Sequence, residues 1–484
     1  MLPHLVGSLT SRWPRLAGIG AVAATLGGCA AFTPDAGMSP VSSQVAGTIG
    51  KDTVKITSAA DADGVQQRVK ALLRRPLTAD NAVQVALLNN RGLQAEYNLL
   101  GVSEAAFVEA SLPPNPVIGI ERLSTGASLE VERRVVANLL ALLTLPARSD
   151  IAKTQFEAAR HKAIEATFRT AADTRRAYYR SVASRQTVGF LDQARVSADA
   201  AADLTRSLGE TGAAKKLDQA RAGAFYAEVS NELAQARLKA TSDREALTRM
   251  MGLWGGDIDY KLPGQLPPIP RVRTAQQVEV DAVRKRVDLI AARLELDALA
   301  KSLGLTEATR FVSMIDAGWR GNYERTTTDG VRESSSPQGF ELEVQIPIFD
   351  LGEVNVRRSR ELYMQAVNRL LEKAVNVRSE ARAAYLVYRG SHDIAQQYQN
   401  RILPLRRTIN EQALLEYNGM LIDVFELLTT ARESINSNVA AIAAKRDFFL
   451  ATVDFETAII GGGGSASTGG DSPVVTAAAE GGGH

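Results

Sequence analysis

Few side chains in this 484-residue sequence stand in patterns that do chemistry. The single cysteine, Cys29, follows Arg12 and Arg15, an apolar run over residues 16–26, and Gly27-Gly28. A basic start, a short apolar core and small residues before a cleavage point make an export signal. The core is too short to cross a bilayer, which takes about 20 apolar residues. Cleavage before Cys29 leaves a thiol for lipid attachment, and one cysteine allows no internal disulfide. The second candidate is the acid pair Asp423 and Glu426. Their i, i+3 spacing puts both carboxylates on one helix face. Read as residues alone, they are two solvated surface acids, a common pair on helices.

Other chemistry finds no support. His4, His161, His392 and His484 are scattered, without the spacing of a metal site. The run Gly461-Gly-Gly-Gly464 lacks the Lys-Ser/Thr of a phosphate cradle. No nucleophile stands beside a base, so no catalytic residue, metal or cofactor is expected beyond a covalent lipid at Cys29. A net charge of +2 without a basic patch interleaved with aromatics argues against nucleic acid. The stretch Leu26-Gly27-Gly28-Cys29 resembles the bacterial lipoprotein box. That resemblance implies diacylglycerol on the thiol, acylation of the new amino terminus and loss of residues 1–28. With Ala30 rather than Asp next, it implies the outer membrane.

The elements that must position such residues come twice. Residues 29–64 read as a lipidated tether and 461–484 as a disordered Gly/Ser/Ala tail. Between them lie a first repeat over 77–260 and a second over 275–460. Each has two short helices, a β-hairpin and a long helical hairpin. Asn90-Arg-Gly-Leu lies opposite Arg286-Val-Asp-Leu, and Arg176-Ala-Tyr-Tyr opposite Arg382-Ala-Ala-Tyr. Gly212 with Leu217-Asp218 matches Gly419 with Val424-Phe425. The long regions carry apolar and Ala residues at three- and four-residue spacing. Residues 152–209 alone would span roughly 85 Å as one helix. Gly209, Gly212 and Gly419 are candidate reversal points, and Pro404 predicts a kink or local gap.

The hairpins are expected at about 116–145 and 310–348. In the second, Ile315, Trp319, Tyr323, Phe340, Leu342, Val344 and Ile346 share one face. Asp316, Arg320, Glu341, Glu343 and Gln345 share the other. An aliphatic stripe with aromatics toward one end suits lipid, and a charged stripe suits water inside a barrel. A soluble hairpin with a solvated back has the same alternation. Pro146 in the first repeat, and Pro347, Asp350 and Gly352 in the second, mark the strand-to-helix junctions. Four strands cannot close a barrel, and an open edge in hydrocarbon strands backbone polar groups, so closure needs further copies of the chain.

The run Leu77-Thr-Ala-Asp-Asn-Ala-Val, the Leu112-Pro-Pro-Asn-Pro116 stop, the Ile346-Pro-Ile-Phe-Asp-Leu-Gly352 junction and the duplication resemble the TolC-like outer-membrane efflux proteins, especially their lipoprotein members. The resemblance implies a mixed α/β membrane protein. Four strands from each of three protomers close a twelve-stranded barrel, continued by a long periplasmic α-helical barrel. It implies partners: a homotrimer, a periplasmic adaptor, an inner-membrane efflux pump and outer-membrane lipid. It implies a duct passively conducting substrates outward, with helix tips closing the periplasmic mouth. On this chain Asp423 and Glu426 match the acids that ring the constriction. Gly209, Gly212, Lys215, Lys216, Asp218 and Gly419 fall in tip turns facing the adaptor. A non-transporting outer-membrane lipoprotein scaffold or stalk remains the alternative.

Overall fold

A computed structural model of the chain describes residues 31–126, 128–272, 277–328 and 331–462. The lipobox Leu26-Gly27-Gly28, Cys29 and nearly all of the Gly-rich tail lie outside the described residues. The chain is mostly helical and carries one small antiparallel sheet. It divides into two compact units, each drawing on both halves of the sequence. One comprises residues to Ala59, Arg91–Ile164 and Val287–Asn376; the other comprises Ala60–Asn90, Glu165–Arg286 and Val377 onward.

In the first unit, α1 (Met38–Ile49) buries Met38, Val41 and Val45. This overturns the expectation that residues 31–58 form a tether. Glu104, almost wholly buried, accepts from the Thr33 amide at 2.8 Å and the Thr33 hydroxyl at 2.6 Å. Gln94 likewise accepts from the Ile56 amide at 3.0 Å and donates to the Val54 carbonyl at 2.8 Å. Buried polar side chains need such partners, and the N-terminal segment supplies them. In the second unit, α2 (Ala59–Leu73) precedes α3 (Ala79–Asn89), whose N-cap Thr78 accepts from Asn81 N. The first unit resumes with α4 (Arg91–Ser111), which stops before Pro113-Pro114.

The sheet follows. β1 (Val117–Ser124) pairs with β2 (Ser128–Asn138), but the chain then turns helical: α5 (Leu139–Leu143) leads into α6 (Leu145–Glu210), 66 residues long. The expected hairpin to residue 145 is thus too long. Asn138 accepts from Ala141 N at 2.6 Å and caps a helix where an apolar run had suggested strand. Pro146 is therefore not the junction; it sits in the first turn of α6, where its missing N–H costs little. A short loop leads to α7 (Lys216–Met250).

The second half runs through α8 (Val278–Lys285) and α9 (Val287–Ala308) to β3 (Met314–Thr328), β4 (Val331–Ser335) and β5 (Gln338–Gln345). β4 and β5 both pair with β3 in one unbroken register, Glu324 opposite Ser335 and Gly321 opposite Gln338. They act as a single strand interrupted at Ser336-Pro337, so the sheet is a four-stranded meander with β1 and β4/β5 at its edges. Then come α10 (Glu353–Gln397), a π-helical turn over Tyr398–Ile402, α11 (Leu403–Asn418) and α12 (Val424–Ile460). The π turn is the irregularity Pro404 imposes: Leu403 N bonds Tyr398 O one residue beyond helical spacing. Among the described residues no helix is long and apolar enough to cross a membrane.

The duplication is visible in detail. Asn90 (φ −68, ψ 117) and Arg286 (φ −64, ψ 119) break their helices with nearly the same dihedrals, each donating N–H four residues back. Both halves tie the long helix to the first turn of the preceding short one, through Arg175–Asp80 at 3.0 Å and Arg382–Glu279 at 3.4 Å. Aromatic stacking fills the second unit's core, with Tyr179 on Phe449 and Tyr388 between Phe448 and Phe455.

At the second junction two successive left-handed residues, Leu351 (φ 49) and Gly352 (φ 73), turn strand into helix. Asp350 Oδ1 accepts from Gly352 N at 3.2 Å, and the Pro347 carbonyl takes Leu351 N at 2.8 Å. A Cβ on Gly352 would stand 2.1 Å from the Arg310 carbonyl oxygen. Gly352→Ala is expected to cost more than the roughly 1–2 kcal/mol of left-handed strain alone, because backbone must also shift. A thermal melt should fall by several degrees, roughly, while Gly339→Ala, in open space, should leave it nearly unchanged.

Candidate functional site

Two features can carry function: the sided sheet and the helix tips. Strand residues alternate between faces, and the register sorts them. Val135, Trp319 and Phe340 are direct neighbours across three strands, as are Ala137, Ala317 and Leu342. With Ile118, Ile120, Ile315 and Val344 they form an apolar face, on which Phe340 is 93% and Ile120 74% exposed. Opposite lie Asn138, Asp316 and Glu343 in one row and Glu132 with Asn322 in another. Every aspartate and glutamate of the five strands falls on this second face. There Arg320 Nε meets Glu132 Oε1 at 2.9 Å and Asn322 Nδ2 donates to Glu130 Oε1 at 2.6 Å. The Trp319 ring lies over Gly321, where a Cβ would be 2.7 Å from it. Gly321 thus gives the indole its room.

The two helix tips share one hydrogen-bond pattern. In the first, Gly212 N donates to Gly209 O at 3.1 Å and Ala213 N to Leu208 O at 2.8 Å. In the second, Met420 N donates to Tyr417 O at 3.0 Å and Leu421 N to Glu416 O at 2.8 Å. This is the Schellman ending, whose C′ residue is left-handed. Gly212 fills that position at φ 80, and Met420 fills it at φ 60. The structural counterpart of Gly212 is therefore Met420, not Gly419, which keeps a negative φ of −81 and serves as C-cap. The pairing expected from the sequence is one residue early, because glycine permits a left-handed turn without fixing where it falls. Nor does Gly209 reverse the chain. It belongs to the last turn of α6 and makes room for the Gln219 side chain.

The corrected alignment sets Asp218 opposite Glu426 and Lys215 opposite Asp423. Asp423 is the N-cap of α12, its Oδ1 accepting from Glu426 N at 2.9 Å. Both acids are exposed. Glu426 stands three residues past that cap, in the first turn of α12. Lys215, at the matching place before α7, makes no side-chain cap, and Lys216 is exposed beside it. Asp218 is partly covered and faces Arg221 at 3.8 Å.

Contacts that the sequence reading missed fasten the tips together. Ala198, Ala202, Ala222, Phe225, Val229 and Leu428 form a small core between α6, α7 and α12. Arg221 lies 4.6 Å over the Phe425 ring, and Arg432 pairs with Glu228. The available signal was the apolar four-residue spacing of Phe225 and Val229, which is common to ordinary helix packing. Leu217, Met420, Leu421 and Phe425, at the turns, lie outside this core and are largely exposed. Among the described residues no group of His, Cys, Asp and Glu is placed to hold a metal.

No protein-family model and no curated protein matches this chain. Solved structures do. CusC, studied for conformational changes accompanying folding and transmembrane channel formation, matches at TM-score 0.67 and 16% identity, over 82% of this chain and 92% of its own. A membrane protein from Pseudomonas aeruginosa matches at 0.68 and 20%, over 80% and 93%. The outer-membrane channel OprN matches at 0.66 and 17%, over 82% and 92%. A duplicated chain whose sided meander feeds paired long helices defines a class of architecture. In particular, the chain has the TolC-like outer-membrane-factor fold.

The tip geometry makes two effects separable. Met420→Gly is expected to stabilise the protein by about 1 kcal/mol, relieving left-handed strain in an exposed side chain. Asp423→Ala should lose about 1 kcal/mol of capping, whereas Asp423→Asn should keep the cap and remove only charge. Amide hydrogen exchange in the first turn of α12 reads both: faster in Asp423→Ala, unchanged in Asp423→Asn.

Proposed function

We propose that this protein is the outer-membrane channel component of a tripartite efflux system. It conducts substrates passively from a periplasmic adaptor and an inner-membrane pump to the exterior. The observation that carries the reading is a sheet with one apolar face, one charged face and two edges lacking further partners among the described residues. In hydrocarbon each unsatisfied backbone group costs several kcal/mol, so edges of this kind must be closed by sister chains. Three copies of a four-stranded meander close a twelve-stranded barrel with carboxylates lining the water. From the Ile346 position to the Trp319 row the aliphatic face runs about six residues, roughly 20 Å, and the rows beyond it, with Tyr323, carry the wall toward the headgroups.

In this reading Cys29 carries the lipid that, with the barrel, holds the protein in the outer membrane. Thr33, four residues on, is tied to buried Glu104, so the anchor joins an ordered segment. The tips form the periplasmic mouth. Threefold symmetry gathers Asp423 and Glu426 into a ring of carboxylates that favours cations. Lys215, Lys216 and the exposed Leu217, Met420 and Leu421 offer a mixed basic and apolar surface to the adaptor. The protein has no catalytic role here; energy comes from the pump.

Purified protein in detergent is expected to give a trimer by native mass spectrometry and cation-selective conductance in planar bilayers. Replacing Asp423 by Asn and Glu426 by Gln together should lower the cation-to-anion permeability ratio by about threefold or more without loss of trimer. A trimer that never conducts would favour the scaffold alternative, and an unchanged ratio would remove the acidic ring.

A further inference from the structure

The sorting of charge leaves one group of side chains that conduction does not use. Arg122 of β1, Arg133 of β2, Arg325 of β3 and Arg332 of β4 all project on the apolar face. All four are exposed, and no carboxylate of the described strands shares their face. The remaining strand arginines behave differently. Arg320 pairs with Glu132 across the charged face at 2.9 Å, and Arg134 lies over Gly119, where a Cβ would meet its Cγ at 2.9 Å.

The four occupy successive rows climbing toward the hairpin turns. Arg133 is level with Gly321, Arg122 with Val131 and Tyr323, Arg325 with Leu129, and Arg332 with Thr327. They begin where the continuous aliphatic rows end, beside Trp319 and Tyr323. An occupant of this border must therefore present hydrocarbon below and negative charge above. A guanidinium is weakly hydrated and grips a phosphate through two parallel N–H donors, while its stem lies along apolar surface. We propose that these arginines form a girdle binding lipids whose headgroups end in an anionic phosphate with no cation beside it, at the outer border of the apolar band. The proposal rests on reading the sheet as barrel wall with its apolar face outward.

The test uses the full-length protein in neutral detergent, titrated with phosphatidic acid, phosphatidylcholine or inorganic phosphate. Retained lipid is read by native mass spectrometry and stabilisation by thermal unfolding. Wild type should hold phosphatidic acid about tenfold more tightly than phosphatidylcholine, and inorganic phosphate should not stabilise it at equal concentration. The combined variant R122Q/R133Q/R325Q/R332Q should lose that preference to within about twofold; the same four changes to Lys should keep part of it, since charge remains but the fork is gone. A wild-type preference in the Gln variant, no preference in wild type, or equal stabilisation by inorganic phosphate would each overturn the girdle. If the Gln variant fails to fold, the wild-type titration and the Lys variant still decide. Conductance of the same preparations separates the two ideas. A conducting trimer without lipid preference sinks the girdle alone, and a protein that neither trimerises nor inserts sinks the barrel reading with it.

Discussion

A peptide group that leaves water must find its hydrogen bond elsewhere, and in lipid there is no solvent to fall back on. In the proposed channel that requirement governs the sheet. The meander satisfies the inner strands and leaves two edges open, so one protomer is an incomplete object wherever the sheet is surrounded by hydrocarbon. The same accounting governs the junctions. Where β2 ends, Asn138 takes up a helical amide with its side chain within one residue. Where β5 ends, Asp350, Leu351 and Gly352 fold the backbone so tightly that carbonyl and amide partners are found inside the turn.

Duplication gave this architecture two copies of each solution, and the copies show which parts are dictated by geometry and which by residue identity. Helix breaks at Asn90 and Arg286 share dihedrals while sharing no side-chain chemistry. Their arginine–acid ties differ in residue type and distance but join the same elements. At the tips the left-handed position is kept whether glycine or methionine occupies it, so the Schellman pattern outranks local preference. The strain at Met420 is what keeping the pattern without glycine costs. Only the second copy carries a proline deep in its long helix, and only there does a π turn interrupt the ladder.

Much of this was legible in the sequence. Period-two alternation over residues 338–346 fixed both faces of β5, since a slip of one residue would expose every apolar side chain to the wrong side. Helix starts at Thr78 and stops before Pro113 followed from local chemistry alone. Three things did not. The N-terminal segment is polar and aperiodic, and it is ordered by Glu104 and Gln94, whose roles depend on tertiary approach. The apolar run over residues 135–145 suits strand or helix equally, and a single capping asparagine decides between them. The tip alignment slipped by one because glycine signals permission for a left-handed residue without stating where the helix ends. Cys29 and its box lie outside the described residues, so their reading still stands on sequence.

The asymmetry between carboxylates and guanidinium groups on the sheet has a physical cause beyond any one ligand. A carboxylate on a two-carbon stem cannot reach past an apolar border to water, and ionised it is costly to strand there. An arginine can lay its aliphatic stem on the wall and lift its charge clear. Acids confined to the face opposite the apolar one are thus what a wall between lipid and water requires. A hairpin packed on a soluble core would also send its acids to the solvated back, but its other face would be buried, whereas Phe340 and Ile120 are largely exposed. Alternation alone cannot distinguish these cases, as the soluble reading of the second hairpin makes plain. Strict segregation of acids across five strands, together with the exposure of the apolar face, is what the proposed lipid-facing wall calls for. The charged face of the sheet bears carboxylates, and so does the exposed turn at Asp423 and Glu426. In the proposed channel both stretches bias the path toward cations, and the bias comes from fixed charge that no conformational change needs to create.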